Sequence, residues 1–487
     1  MNKLAIILFL SLAGLVAISC EGIEKNQPEQ ATEHEADSDG STVNEPKDNG
    51  AGTTNVPETP PDTSPGEESQ EPAQPELPGN PEDASTSGDV NDKTSYEFLS
   101  SQAPSVLSSF ESDKVKEINS FAFSLLSEIN DARENESFIS SPLSLTYLLG
   151  MLAEGSDGAT KNEICKALGF EADNAETLSA LCRDLIVHLS RAAGNKESIA
   201  INNIVIADKP LNLLESYRER VKNYFDATTA IMDFKIVDVA GYANSWANEK
   251  TCGMIKKVLN KSDINEDTKA VLMNALYFSA SWATAFEPRA TKVSAFTGAD
   301  GNTRSVLMMS RKDDYSILYA EDKECSMVRL PYGENGHFGN YSMYVMLPAV
   351  GVEIDKLAQR SYDEWEKLFS ATKLKAVDLQ IPRFSIDFDS DLTTILQHMG
   401  IKTAFTTEAD FPHMTSNPLS INLIKQVARI TVDEKGSEAA AVSVTVMDGA
   451  NLDGDSITFI PFHADRPFLF AIKENTTGAV VFLGSYK

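Results

Sequence analysis

The stretch that most limits what this chain can fold into lies near its C-terminal end. It reads Asp433-Glu434-Lys435-Gly436-Ser437-Glu438-Ala439-Ala440-Ala441-Val442-Ser443-Val444-Thr445-Val446-Met447-Asp448-Gly449-Ala450-Asn451-Leu452. An apolar, β-prone run, residues 423–432, leads into it. An acidic pair, a glycine and a string of small residues follow. Val442, Val444 and Val446 then alternate with Ser443 and Thr445, the period-two pattern of a strand. Asp448-Gly449 and Asp453-Gly454 are turn signals. The segment therefore reads as a surface loop and as a strand at once. A loop that can become a strand satisfies both readings.

The run Glu434-Lys435-Gly436-Ser437-Glu438-Ala439-Ala440-Ala441 closely resembles the hinge of the reactive loop in inhibitory serpins, a family of suicide protease inhibitors. The resemblance extends along the chain in order. Phe138-Ile139-Ser140-Ser141-Pro142-Leu143-Ser144-Leu145, with the following Gly155-Ser156-Asp157-Gly158-Ala159-Thr160, is similar to the family's helix beneath the central sheet. There Ser141 suits the N-cap and Pro142 the first helical position, and Glu154-Gly155 marks a stop after Ala153. Asp233-Phe234, Asn244, Trp246, Thr251, Gly253 and Ile255 have the family's spacing before its main strand. That strand, residues 270–278, is a near-continuous apolar run, which reads as buried on both faces, and Trp282 and Phe286 follow it. Leu330-Pro331-Tyr332, Tyr344-Val345-Met346-Leu347-Pro348 and Leu379-Gln380-Ile381-Pro382-Arg383-Phe384 read as further strands, and residues 391–400 as a helix ending on glycine. Ala409-Asp410-Phe411 and Phe462-His463-Ala464-Asp465-Arg466-Pro467-Phe468 resemble family signatures. Ser137 and Gln426 stand where the family often has Asn and His.

The resemblance covers residues 107–487 and implies an α+β serpin fold. Such a fold has a large mixed or antiparallel central sheet, further sheets, eight to nine helices and an exposed reactive loop. It also implies a sheet-opening region of Ser141, Asn274, Trp282 and Gln426, and a loop hinge over residues 434–441. Near the start of this part, Val115, Ile118, Phe121, Ala122, Leu125, Leu126 and Ile129 recur at helical spacing and predict an amphipathic helix.

The first hundred residues are of another kind. Lys3 precedes an apolar run over residues 4–18, broken only by Ser11 and Gly14, and small residues follow: a secretory signal, residues 1–20, too short for a spanning helix. Ala17-Ile18-Ser19-Cys20 resembles a bacterial lipobox, which implies lipidation of Cys20. Residues 21–100 hold 20 acidic and 3 basic residues, and so carry −17 of the chain's −30. Ten of the 21 prolines fall between Pro28 and Pro81, and no aromatic residue occurs between Cys20 and Tyr96. Such a composition cannot bury enough surface to offset chain entropy, so it reads as an extended, disordered tether. The expectation is an outer-membrane lipoprotein, secreted by its signal, at the cell surface or its periplasmic face. The net charge argues against nucleic acid as a partner. Cys165, Cys182, Cys252 and Cys325 read as buried thiols, with a Cys165–Cys182 disulfide as the alternative.

If the loop enters a sheet, alternate residues must face inward. Taking Ala450 as the residue before the cut bond, the inward set is Ser437, Ala439, Ala441, Ser443, Thr445, Met447 and Gly449. All are small or apolar and none is charged, whereas a one-residue slip would bury Glu438. The family's count from hinge to bond gives Ala450-Asn451, with Met447 and Leu452 as alternatives. No Lys or Arg lies between Gly436 and Asp465, so a trypsin-like pocket has no partner here. The expected targets are elastase-like or chymotrypsin-like serine proteases, with papain-like cysteine proteases as a further class. A monomer without cofactor, metal or catalytic residues is expected. The six histidines are scattered, and HExxH, GxSxG, GxxxxGK[ST] and GxGxxG are all missing. A non-inhibitory serpin-fold surface binding protein is the competing expectation.

Overall fold

The computed structural model describes residues 109–192, 197–334, 337–437 and 458–487. The signal, the tether, Cys20, Glu438, residues 439–441, Met447, Ala450, Asn451 and Leu452 lie outside these residues.

The first helix, Ser109–Ala132, places all seven of its spaced apolar residues in the core. After the short strand Phe138–Ser140 comes the helix Pro142–Gly155. Ser141 caps it, its hydroxyl accepting from Ser144 N at 3.3 Å, and every residue of the helix except Ser144 is buried. A helix that is apolar on all sides must sit in the middle of a protein, and this one does. It runs two residues past the expected stop. Glu154 is held by Arg220, whose Nη2 donates to Oε1 at 2.9 Å, and by the hydroxyl of Ser179. Gly155 serves close packing instead of termination: a Cβ there would lie 2.9 Å from Met414 Cβ.

Two sheets flank this helix. In the nine-stranded sheet the strands run in the order Phe138–Ser140, Val480–Tyr486, Phe468–Glu474, His337–Pro348, Cys325–Glu334, Thr303–Glu321, Lys373–Pro382 and Ile460–His463, with Lys292–Thr297 pairing onto Thr303–Glu321. Only Ile460–His463 lies parallel to its neighbour. The six-stranded sheet runs Phe384–Asp391, Lys425–Val432, Gly436–Ser437, Ala270–Ser281, Glu197–Asp208 and Thr228–Met232, antiparallel except for the last pair. Nine α-helices are present among the described residues. The helix Val239–Lys250 packs Val239, Ala243, Trp246 and Ala247 against Ile204, Ile206, Met273 and Ala275 of the six-stranded sheet. Asn244 fixes the chain leaving that helix, its Oδ1 accepting from Val258 N at 2.7 Å and Leu259 N at 2.9 Å. This is the α+β architecture expected.

Three local expectations need correction. The apolar strand extends to Ser281, and residues 270–272 are only half buried because they border a cavity. The helix expected over residues 391–400 is Thr393–His398, because Asp391 ends a strand and its Oδ1 accepts from Thr393 N at 2.8 Å. Cys165 and Cys182 are separate buried thiols, not a disulfide.

Lys473, on Phe468–Glu474, is a buried cation. Its Nζ lies 4.0 Å from the centre of the Phe369 ring, and Tyr344 and Tyr362 complete a cage. Burial first, and then the nearby Arg329, depress the ammonium from its ordinary 10.5 to about 8. The unfolded chain therefore binds the proton more tightly, and stability from this site rises as pH climbs from about 8 to 10.5. The full swing is about 3 kcal/mol. Lys473→Met removes it. Urea midpoints measured across that interval should shift steadily in favour of the wild type relative to the variant, and a constant difference would refute the assignment.

Candidate functional site: the hinge and the slot beneath it

The site begins where Lys425–Val432 ends. Asp433 reverses the chain: its Oδ1 accepts from Lys435 N at 2.8 Å and Gly436 N at 3.2 Å. Gly436 and Ser437 then enter the six-stranded sheet as a strand of two residues. Ser437 pairs with Val432 on one side and Ala280 on the other, and Gly436 pairs with Ser281. A Cβ on Gly436 would stand 2.1 Å from Ala280 O, so only glycine permits this approach.

Four groups clasp the turn. Trp282 donates from Nε1 to Asp433 O at 2.9 Å and from its backbone N–H to Lys435 O at 2.8 Å. Phe286 N donates to Glu434 O at 2.8 Å. Thr291 Oγ1 donates to Glu434 Oε1 at 2.8 Å, and Arg383 Nη1 lies 3.9 Å from Oε2 of the same carboxylate. The Trp282 ring stacks on Tyr332 at 4.6 Å and an interplanar angle of 7°. Tyr332 OH and Ser437 Oγ share a hydrogen bond of 2.6 Å, and Ser437 is 3% exposed. Burial pushes the Tyr332 phenol far above its ordinary value, so it stays protonated.

Below Ser437 the sheet is open. Gly436–Ser437 is the only paired link between Ala270–Ser281 and Lys425–Val432 among the described residues. A cavity of about 160 Å³ lies between the two strands. Asn274 and Leu276 line one wall, Gln426 and Ala428 the other, and Leu145 and Leu148 reach it from the buried helix. Asn274 Nδ2 donates to Asn203 Oδ1 at 2.8 Å, while the buried Asn274 Oδ1 has no partner. Gln426 knits three elements. Its Oε1 accepts from Ser140 Oγ at 2.7 Å and Ser141 N at 3.2 Å, and its Nε2 donates to Ser141 O at 2.8 Å. Ser141 Oγ in turn donates to Val481 O at 2.9 Å.

Of the residues expected here, Ser141, Asn274 and Gln426 line one cavity, and Trp282, Glu434, Gly436 and Ser437 gather at its upper end. Tyr332, Thr291 and Arg383 escaped sequence reading. Leu330-Pro331-Tyr332 signalled a strand, and only the fold shows that its tyrosine backs the hinge.

A family model described as serpin (serine protease inhibitor) matches residues 116–487. Wheat (Triticum aestivum) Serpin-Z1C is 30% identical over 377 residues, covering 75% of this chain and 93% of its own. Barley (Hordeum vulgare) Serpin-ZX is 33% identical over 356 residues, covering 71% and 88%. Among solved structures, human thyroxine-binding globulin superposes with a TM-score of 0.68 at 26% identity, covering 77% of this chain and 98% of its own. The thermophilic serpin tengpin in its native state gives a TM-score of 0.68 at 26% identity, covering 76% and 93%. The chain belongs to the serpin family, whose members are generally protease inhibitors and not enzymes.

Gly436→Ala tests the close approach at the hinge. The added methyl should expel Gly436–Ser437 and break the Ser437–Tyr332 contact. Tryptophan emission should shift to the red, and the shift should vanish in a Trp282→Phe background. An unchanged spectrum would mean that the hinge strand tolerates a side chain.

Proposed function

We propose that this serpin is a covalent, loop-insertion inhibitor of elastase-like or chymotrypsin-like serine proteases, with papain-like cysteine proteases as a further class. The observation that carries the reading is the half-made strand at Gly436–Ser437 above an open slot. Loop insertion in serpins is a known switching transition, and the question here is whether this chain accommodates it.

Continuing the register of Ser437 answers that. Ala439 falls between Phe278 and Ile430, Ala441 between Leu276 and Ala428, and Ser443 between Asn274 and Gln426. The four apolar partners are buried residues that small side chains can pack between. The Ser443 hydroxyl reaches the one wall that offers an unpartnered acceptor, Asn274 Oδ1. The cavity of about 160 Å³ holds roughly five waters at ~30 Å³ each, far less than a strand, so the two walls must part as the loop enters. In this reading the protease attacks the Ala450-Asn451 bond, with Met447 or Leu452 as alternative positions. Insertion then carries the acylated enzyme away before water can release it. The domain hangs on its acidic tether from a lipidated Cys20. Likeness to thyroxine-binding globulin supports a second reading, a non-inhibitory serpin-fold binding protein on the cell surface.

Incubation with an elastase-like protease separates the two. The first reading gives an SDS-stable complex, and mass spectrometry locates the cut. Ser437→Arg would place an unpartnered cation in the sheet, costing several kcal/mol. That variant should be cleaved at the same bond with little complex, while Ala450→Arg should gain trypsin inhibition. Wild-type stoichiometry in Ser437→Arg would sink the insertion reading. For the anchor, Cys20→Ala should leave the membrane fraction or remain unprocessed; normal processing with membrane retention would rule lipidation out.

A further inference from the structure

Lone exposed apolar residues are ordinary, but two that face each other across a sheet edge are a patch. Val293, 70% exposed, lies on the edge strand Lys292–Thr297, and its direct cross-strand partner is Leu307, 45% exposed. Direct partners point to the same face with their Cβ atoms about 5 Å apart. The row continues. Met308 pairs with Pro382, so the next position beside Leu307 is Arg383, whose backbone N–H donates to Leu307 O at 2.7 Å. The Arg383 side chain, 49% exposed, reaches to 3.9 Å from Glu434 at the foot of the hinge. Thr291, which holds that same carboxylate, directly precedes the edge strand. The row Val293–Leu307–Arg383 therefore runs straight to the N-terminal foot of the reactive loop.

The other foot lies in the same sheet. Ile460–His463 pairs with Lys373–Pro382, which pairs with Thr303–Glu321. Between the two feet lie the twenty residues 438–457. Ten residues from either foot span at most about 33 Å even when fully extended. A protease seated on the loop must therefore rest over this end of the sheet. An apolar centre beside an arginine is the composition from which protein interfaces draw most of their affinity.

We propose that Val293, Leu307 and Arg383 form a docking surface for the body of the target protease, outside its active-site cleft. The protease face that fits is apolar and carries a carboxylate for Arg383. The inference rests on the inhibitory reading above. It adds a determinant of which protease is recognised, separate from the residue at the cut bond.

Binding to a protease whose catalytic serine is replaced by alanine tests docking without covalent trapping. The probe is an inactivated elastase-like or chymotrypsin-like enzyme, immobilised, with the full serpin domain in solution. Leu307→Asp should weaken binding at least tenfold. Leu307→Gln and Arg383→Glu should each weaken it at least threefold, all with wild-type unfolding midpoints and unaltered loops. Equal binding by all four proteins would overturn the proposal, as would failure of the wild type to bind either enzyme. Weaker binding in the variants together with no SDS-stable complex from the wild type and active enzyme would leave the docking surface standing and remove the inhibitory reading. A wild-type dimer that Leu307→Asp dissolves, with protease binding unchanged, would reassign the patch to self-association and overturn the proposal.

Discussion

Everything at the upper end of this molecule depends on a two-residue wedge. Gly436 and Ser437 are hydrogen-bonded into both neighbouring strands, and nothing else among the described residues bridges those strands. The wedge is possible because position 436 has no side chain to strike Ala280 O. Ser437 is small enough to be buried, and its hydroxyl finds Tyr332. A buried hydroxyl without a partner would be unfavourable by a few kcal/mol, so the tyrosine decides whether the serine stays. Trp282, stacked on that tyrosine and bonded to the turn, ties both together.

Lower in the slot the balance differs. Gln426 uses both ends of its amide on Ser140 and Ser141, so that wall is closed and satisfied. Asn274 opposite uses only its amino end, and its carbonyl oxygen is left over. A satisfied wall facing an unsatisfied one is a poor way to finish a core and a good way to receive a further strand. Where a histidine would bring a titrating group, the glutamine here gives hydrogen bonds that do not change with pH in the physiological range.

Much of the fold was legible because its signals are periodic. The first helix shows its spacing, the buried helix shows an unbroken apolar surface with Ser141 and Pro142 at its head, and the central strand shows a continuous apolar run. The site was legible in part, through residues whose identity is itself unusual, such as Gly436 and Trp282. What escaped was relational. Tyr332 lies 105 residues before Ser437, and Thr291 lies 143 before Glu434, so no local pattern links them. The early stop assigned to Glu154-Gly155 failed for the same reason. Arg220 and Met414, which let the helix continue, are distant in sequence.

The two feet of the reactive loop belong to different sheets. The N-terminal foot is the wedge in the six-stranded sheet, while the chain after the loop supplies Ile460–His463, Phe468–Glu474 and Val480–Tyr486 to the nine-stranded one. Those last two strands are buried almost throughout, and they pair with each other and with His337–Pro348 and Phe138–Ser140. A cut anywhere in residues 438–457 thus makes two polypeptides without making two particles. The short C-terminal piece stays as a stapled-in part of the core, free of the covalent link yet held by its sheet, and it leaves only when the whole domain unfolds. The severed molecule would travel through a sizing column as one body and separate into a large and a small chain only in denaturant.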